Sequence, residues 1–196
     1  MIIFEGHPIK NYSENMTEDE FFEFCQENSY LQIERDADQN IVVMSPAGYY
    51  SGIYESKFIT AVTAWAEKDQ TGQSFSSSTG FILPNGAVRS PDAGWIHRQK
   101  LASIPHEVKK KFLPAVPDFI VEVKSETDSI PRLQDKMKEW IANGVRLGWL
   151  VNPENEHIYI YRQTGEPEKL EGFLRTLTGE DVLLGFEFDF RRLSLE

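Results

Sequence analysis

The chain has 196 residues, 40% of them hydrophobic, which suits one globular domain with a single core. Its 31 acidic and 20 basic residues leave a formal charge of -11, which excludes a dedicated nucleic-acid coat: affinity for phosphate comes from clustered Lys and Arg, so any contact with a polyanion has to be local and cation-assisted. The single cysteine, Cys25, excludes an intrachain disulfide and fits a reducing, cytoplasmic setting, and no apolar run reaches the ~18 residues of a membrane span.

Near the start, Thr17-Glu18-Asp19-Glu20 has the form of a capping box, opening a helix that offers Phe21, Phe22, Phe24 and Cys25 for burial. No histidine stands in a partner pattern to Cys25, which reads as a small buried hydrophobe. Residues 31–35 and 41–44 predict a hairpin around Asp36-Ala37-Asp38-Gln39-Asn40. Its two aspartates lack the glycine and distal glutamate of a calcium loop, so it reads as a solvated turn. Tyr54, Phe58, Ala61, Val62 and Trp65 recur at helical spacing and predict an amphipathic helix over about 51–68, with Glu55 at the edge of the stripe.

Three short extended segments follow at 74–78, 80–83 and 91–96, with Pro84-Asn85-Gly86 as a tight turn between the last two. The stretch 97–114 is polar and basic. Its Lys109-Lys110-Lys111 cluster reads as a solvated face or as a landing place for a phosphate backbone. His97 and His106 lack metal-ligand spacing.

The next strand is anomalous. Pro117-Asp118-Phe119-Ile120-Val121-Glu122-Val123-Lys124-Ser125 is an apolar strand run that carries an acid and a base. Alternation puts Ile120, Glu122 and Lys124 on one face and Phe119, Val121 and Val123 on the other. Unpaired charge in an apolar interior costs several kcal/mol, so Glu122 and Lys124 either neutralise each other or are completed by a bound cation and substrate.

Downstream, Leu133, Met137, Trp140 and Ile141 share a helical face that stops at Asn143-Gly144, and Pro131 sits early in that helix. Residues 147–151 form a buried strand run. The intervening helix makes a crossover, so this strand and the one bearing Glu122 should be parallel neighbours. Residues 157–162 alternate as a strand, and the remainder reads as edge strands completing the sheet.

Upstream, Arg89-Ser90-Pro91-Asp92 sets another acid at the mouth of a short apolar strand. If Asp92 sits beside Glu122, the two carboxylates can hold a hard cation such as Mg2+, with the Val123 carbonyl as a third ligand and open sites for water and phosphate. That is equipment for phosphodiester hydrolysis, with Lys124 orienting the attacking water or offsetting developing charge.

Pro91-Asp92 followed by Glu122-Val123-Lys124 resembles the PD-(D/E)xK signature of restriction-endonuclease-like nucleases. Ser45-Pro46-Ala47-Gly48, Ser77-Ser78-Thr79-Gly80-Phe81, Leu83-Pro84-Asn85-Gly86-Ala87, Pro117-Asp118-Phe119, Gly144 and Leu147-Gly148-Trp149-Leu150 resemble, in order, the Uma-type family of bacterial predicted endonucleases over about residues 15–190. The resemblance implies a single α/β domain spanning 1–196, with a mixed central sheet flanked by helices. It implies a metal-dependent DNA endonuclease using Mg2+, or Mn2+ in its place, and a homodimer suits a double-strand cut. A lysine at the position of Lys136 recurs in these relatives, where it reads equally as an active-site contact and as a solvated residue. The family's acid or histidine on the first long helix falls at Tyr50, a departure. Glu55, on the same helix, is a substitute or an exposed surface residue. The alternative to an enzyme is a descendant of the same fold that binds DNA without cutting it, or a protein-interaction module.

Overall fold

The computed structural model describes residues 3–4, 7–8, 13 and 15–194. In chain order the elements are β1 (Ile3–Phe4), β2 (His7–Pro8), α1 (Glu18–Glu27), β3 (Gln32–Arg35), β4 (Ile41–Met44), α2 (Tyr49–Asp69), β5 (Gly72–Phe75), β6 (Phe81–Ile82), β7 (Val88–Arg89) and β8 (Ala93–His97). Then come α3 (Arg98–Ala102), β9 (Phe119–Val123), α4 (Ile130–Ala142), β10 (Leu147–Asn152), β11 (His157–Arg162), β12 (Glu168–Glu171), β13 (Thr176–Gly179) and β14 (Leu183–Asp189).

A mixed six-stranded sheet ordered β12-β11-β10-β9-β8-β5 forms the centre. Only β9 and β10 pair in parallel, joined by the α4 crossover, as the sequence predicts. All five residues of β9 are buried because helices cover both faces. Phe119, Val121 and Val123 point into a core with Phe58, Val62 and Ala66 of α2. Ile120 packs on the other side with Leu133, Met137 and Trp140 of α4. The Met137 side chain of α4 fills the space over Gly148: a Cβ added there would lie 2.5 Å from the Met137 methyl carbon, which would have to turn aside. Burial of these aromatic and aliphatic groups supplies the main drive for layering, at roughly 1.5–3 kcal/mol per large side chain.

The capping box at Thr17 forms as expected, the hydroxyl accepting from the Glu20 N–H and the Glu20 carboxylate from the Thr17 N–H. The β3–β4 hairpin forms too, but as part of a second, four-stranded sheet ordered β4-β3-β7-β6 that the sequence did not announce. Pro84-Asn85-Gly86 makes its turn between β6 and the two-residue strand β7, with Gly86 at φ 86°. The C-terminal part departs from expectation as well. Of its strands only β12 joins the central sheet, as an edge. The β13–β14 hairpin stands apart and extends the α2 layer, where Phe188 stacks on Phe58 at 4.3 Å between ring centres.

Candidate active site

The chain leaves the small sheet at Arg89 and enters the central one at Ala93, so Ser90-Pro91-Asp92 bridges two sheets. The β8–β9 ladder pairs Ala93 with Val121. Carried one residue further, the register sets Asp92 opposite Glu122, at the roughly 5 Å Cβ separation of cross-strand neighbours on one face. The Asp92 carboxylate leans onto the end of β9, its Oδ2 accepting the Val123 N–H at 2.6 Å.

Glu122, only 3% exposed, faces α4. Trp140 Nε1 donates to its Oε1 at 3.0 Å, and the Lys136 ammonium lies 3.0 Å from the same oxygen and 3.1 Å from Oε2. Residues 136 and 140 are one helical turn apart, so α4 presents both to the same carboxylate. Lys136 also reaches Glu34 Oε1 at 3.0 Å, bridging the two sheets.

Glu34 was not foreseen. In the β3–β7 pairing Arg35 stands opposite Val88, and one step on Glu34 faces Arg89, whose guanidinium bonds it at 3.1 Å. The Ser90 N–H donates to the same carboxylate at 2.9 Å. Arg89 also holds Glu139 of α4 at 2.6 Å. Sequence carries no signal for Glu34: in Leu31-Gln32-Ile33-Glu34-Arg35 it falls with Gln32 on the polar side of an alternating strand.

Four carboxylates, from Asp92, Glu122, Glu34 and Glu139, thus share two cations, Lys136 and Arg89. The excess negative charge is felt unevenly. Burial would raise the Glu34 carboxyl, but the charges of Lys136 and Arg89 and the Ser90 N–H hold it below its ordinary value. Burial and the charge of Glu34 hold Glu122 above its ordinary value despite Lys136 and the Trp140 bond. Asp92 is pushed well above, first by burial and then by the charge of Glu122, with Glu55 adding to it. Burial alone would lower Lys136, yet Glu122, Glu34 and Asp92 together hold it above the usual lysine range. The deficit of positive charge therefore falls between Asp92 and Glu122.

Of the residues expected from sequence, the structure brings Asp92, Glu122 and Lys136 together, and Glu55, half-buried on α2, contributes through its field at Asp92. Of the two readings left open for Lys124, a direct pairing with Glu122 is corrected. The strand ends at Val123, and the Lys124 ammonium turns to the Ser125 carbonyl at 3.0 Å and Glu154 Oε2 at 3.1 Å. Lys136, delivered across the sheet by α4, takes its place. Tyr50 is exposed at the start of α2. In the basic stretch, Lys110 pairs with Glu107 and Lys111 with Asp19, which uses up much of that cluster's charge. Cys25 is half-buried, its thiol pushed up to about 12 mainly by burial, which suits packing and not nucleophilic attack.

Among the described residues, no group of three or more His, Cys, Asp or Glu side chains is arranged to hold a metal ion, and no helix is long and apolar enough to cross a membrane. None of the curated proteins matches the chain. Among solved structures, it is similar to the one titled "Crystal structure of a putative nuclease belonging to DUF820 from Anabaena variabilis ATCC 29413 at 1.96 A resolution". The TM-score is 0.70 at 13% identity, over 82% of this chain and 88% of that one. This likeness establishes the fold, a restriction-endonuclease-like α/β domain with a mixed central sheet flanked by helices. A family model described as "Putative restriction endonuclease" matches residues 18–195, and on that near-complete match the chain belongs to the Uma2 family.

Proposed function

We propose that the protein is a metal-dependent DNA endonuclease that hydrolyses phosphodiester bonds at Asp92, Glu122 and Lys136. The observation that carries this reading is the charge imbalance between two neighbouring acids on adjacent strands, relieved by one lysine too few. If all ionise, Asp92, Glu122, Glu34 and Glu139 outweigh Lys136 and Arg89 by two charges, a deficit that one divalent cation matches. The donor set is hard oxygen, and Mg2+ takes one or two carboxylates and completes its shell with water and phosphate oxygens, so two carboxylates suffice without a third acidic ligand. Asp92, Glu122 and the Val123 carbonyl would hold the ion, which when bound polarises the phosphoryl oxygen and acidifies water.

The chain's own groups do the rest. Lys136, fixed between Glu34 and Glu122, offsets negative charge as it builds on the phosphate oxygens. Arg89 and the Ser90 N–H pin Glu34, so that Lys136 is oriented before substrate arrives. Trp140 fixes the Glu122 carboxylate plane and closes the α4 side to water. Glu55 on α2, whose charge is felt at Asp92, would add a further acid. A two-fold dimer would supply the second site for a double-strand cut.

A second reading rests on the same network: Glu34, Lys136 and Glu122 form a buried ionic bridge that the fold needs whether or not it cuts, as in a DNA-binding descendant without catalysis. Plasmid cleavage in Mg2+ and in Mn2+ separates them. The enzyme is expected to nick or linearise supercoiled DNA, with Asp92→Asn about a hundredfold slower or worse. Binding of the same DNA with no cleavage by the unaltered chain in either metal would select the second reading.

A further inference from the structure

The lysine that leaves Glu122 is itself unusual. Its side chain is 11% exposed, yet the carboxylate it bonds belongs to Glu154, which is 71% exposed. A nearly buried ammonium is desolvated and needs a counter-charge. An exposed carboxylate, already well solvated, gives up such a pair for little, typically less than about 1 kcal/mol. Lys124 is therefore held by the neutral Ser125 carbonyl at 3.0 Å and by a charged partner, Glu154, that is easily exchanged.

Its position suggests the exchange. Val123 pairs with Val151 across the parallel β9–β10 ladder, and the Lys124 N–H continues it to the Val151 carbonyl at 2.8 Å. Register therefore sets Lys124 beside Asn152, at the carboxyl ends of two parallel strands, where open α/β sheets bind ligands. Asn152 is 2% exposed, and its Oδ1 is buried with no hydrogen-bond partner among the described residues. Along the other direction, Lys124 stands two residues past Glu122, about 6.7 Å at strand spacing, a gap that a four-carbon stem spans.

We infer that Glu154 is a resident anion that parks Lys124, and that a phosphate of the nucleic acid takes its place on Lys124 beside the Asp92–Glu122 site. This rests on the nuclease reading and deepens it: Lys124, with the buried Asn152 oxygen behind it as an acceptor for the ammonium, forms a subsite for a backbone phosphate next to the scissile one. Glu154 is a positioning residue that acts through Lys124 and touches no reacting atom. Exchange leaves the ammonium paired throughout, so its burial is never uncompensated, and the buried Asn152 oxygen gains a candidate donor when the lysine moves.

The test is a double-mutant cycle read by fluorescence anisotropy with a short labelled oligodeoxynucleotide, using the full chain with Glu154→Gln, Lys124→Met and both together. Methionine keeps the buried stem packed, and Glu126→Gln, an exposed acid two residues past Lys124, controls for the loss of one negative charge. Glu154→Gln is expected to tighten binding about fivefold, by removing the competitor. The same change in the Lys124→Met background, and Glu126→Gln alone, should each gain less than about twofold. Equal gains with and without Lys124 would overturn the exchange while leaving the nuclease reading intact, as would no gain from Glu154→Gln. Failure of every protein, unaltered chain included, to bind the oligonucleotide would overturn both.

Discussion

Lys136→Ala is expected to cost about 3–5 kcal/mol of folding stability, because it strands the buried Glu122 and leaves the buried Glu34 with Arg89 as its one cation. Glu34 and Glu122 are each 3% exposed, and the ammonium lies 3.0 Å from both. For a domain of this size the loss corresponds to a fall of roughly 10 °C in the melting midpoint. Lys124→Ala, which frees only the exposed Glu154, should cost less than about 1 kcal/mol. Combining Lys136→Met with Glu34→Gln and Glu122→Gln should recover much of the loss, since amides need no counter-charge. Thermal melts of the two lysine variants decide the matter. A larger fall for Lys124→Ala would return that residue to the position of partner to Glu122.

Asp92→Asn should stabilise the metal-free protein at neutral pH while abolishing its response to metal. The folded-state carboxyl is raised well above its ordinary value, first by burial and then by Glu122, so the native state holds this proton more tightly than the unfolded chain does. The Asp92 contribution to stability is then greatest at low pH. It falls as pH rises from about 4, the unfolded aspartate value, through the raised native value, and is level beyond. Glu122 is raised too and contributes a slope of the same sign, so the difference between wild type and Asp92→Asn reads Asp92 together with its interaction with Glu122. Asparagine keeps an oxygen to accept the Val123 N–H. The two proteins should therefore match near pH 4, and the variant should be the more stable at neutral pH. A divalent cation at about a hundred times its dissociation constant should return about 2.7 kcal/mol to the wild type and little to the variant. Melting curves against pH, with and without Mg2+, test both halves. A variant less stable than wild type at neutral pH, or one that responds equally to metal, would contradict the assignment.

Local patterns carried much of the fold. The capping box at Thr17, the hairpin around Asp36, the α2 stripe and the parallel β9–β10 pair each follow from residues close in sequence or from a crossover of fixed hand. The second sheet was hidden because its joining strand, Val88–Arg89, has two residues and no period to read. The terminal hairpin was misplaced because alternation says that a segment is a strand but not which sheet it enters. At the site, Asp92 and Glu122 were legible as charges in apolar strands. The partner of Glu122 was not: alternation nominates Lys124, whereas the end of β9 at Val123 and the placement of α4 give the role to Lys136. Glu34 and Arg89 come from separate strands paired in register, and without that pairing neither points to the other.

The most direct test of the central claim is anomalous diffraction from crystals soaked in Mn2+. The account predicts one peak between the Asp92 and Glu122 carboxylates, at about 2.1 Å from an oxygen of each. In Asp92→Asn crystals under the same soak it should be lost. No density there, with Lys136 alone compensating both acids, or a peak that persists without the Asp92 carboxylate, would contradict it.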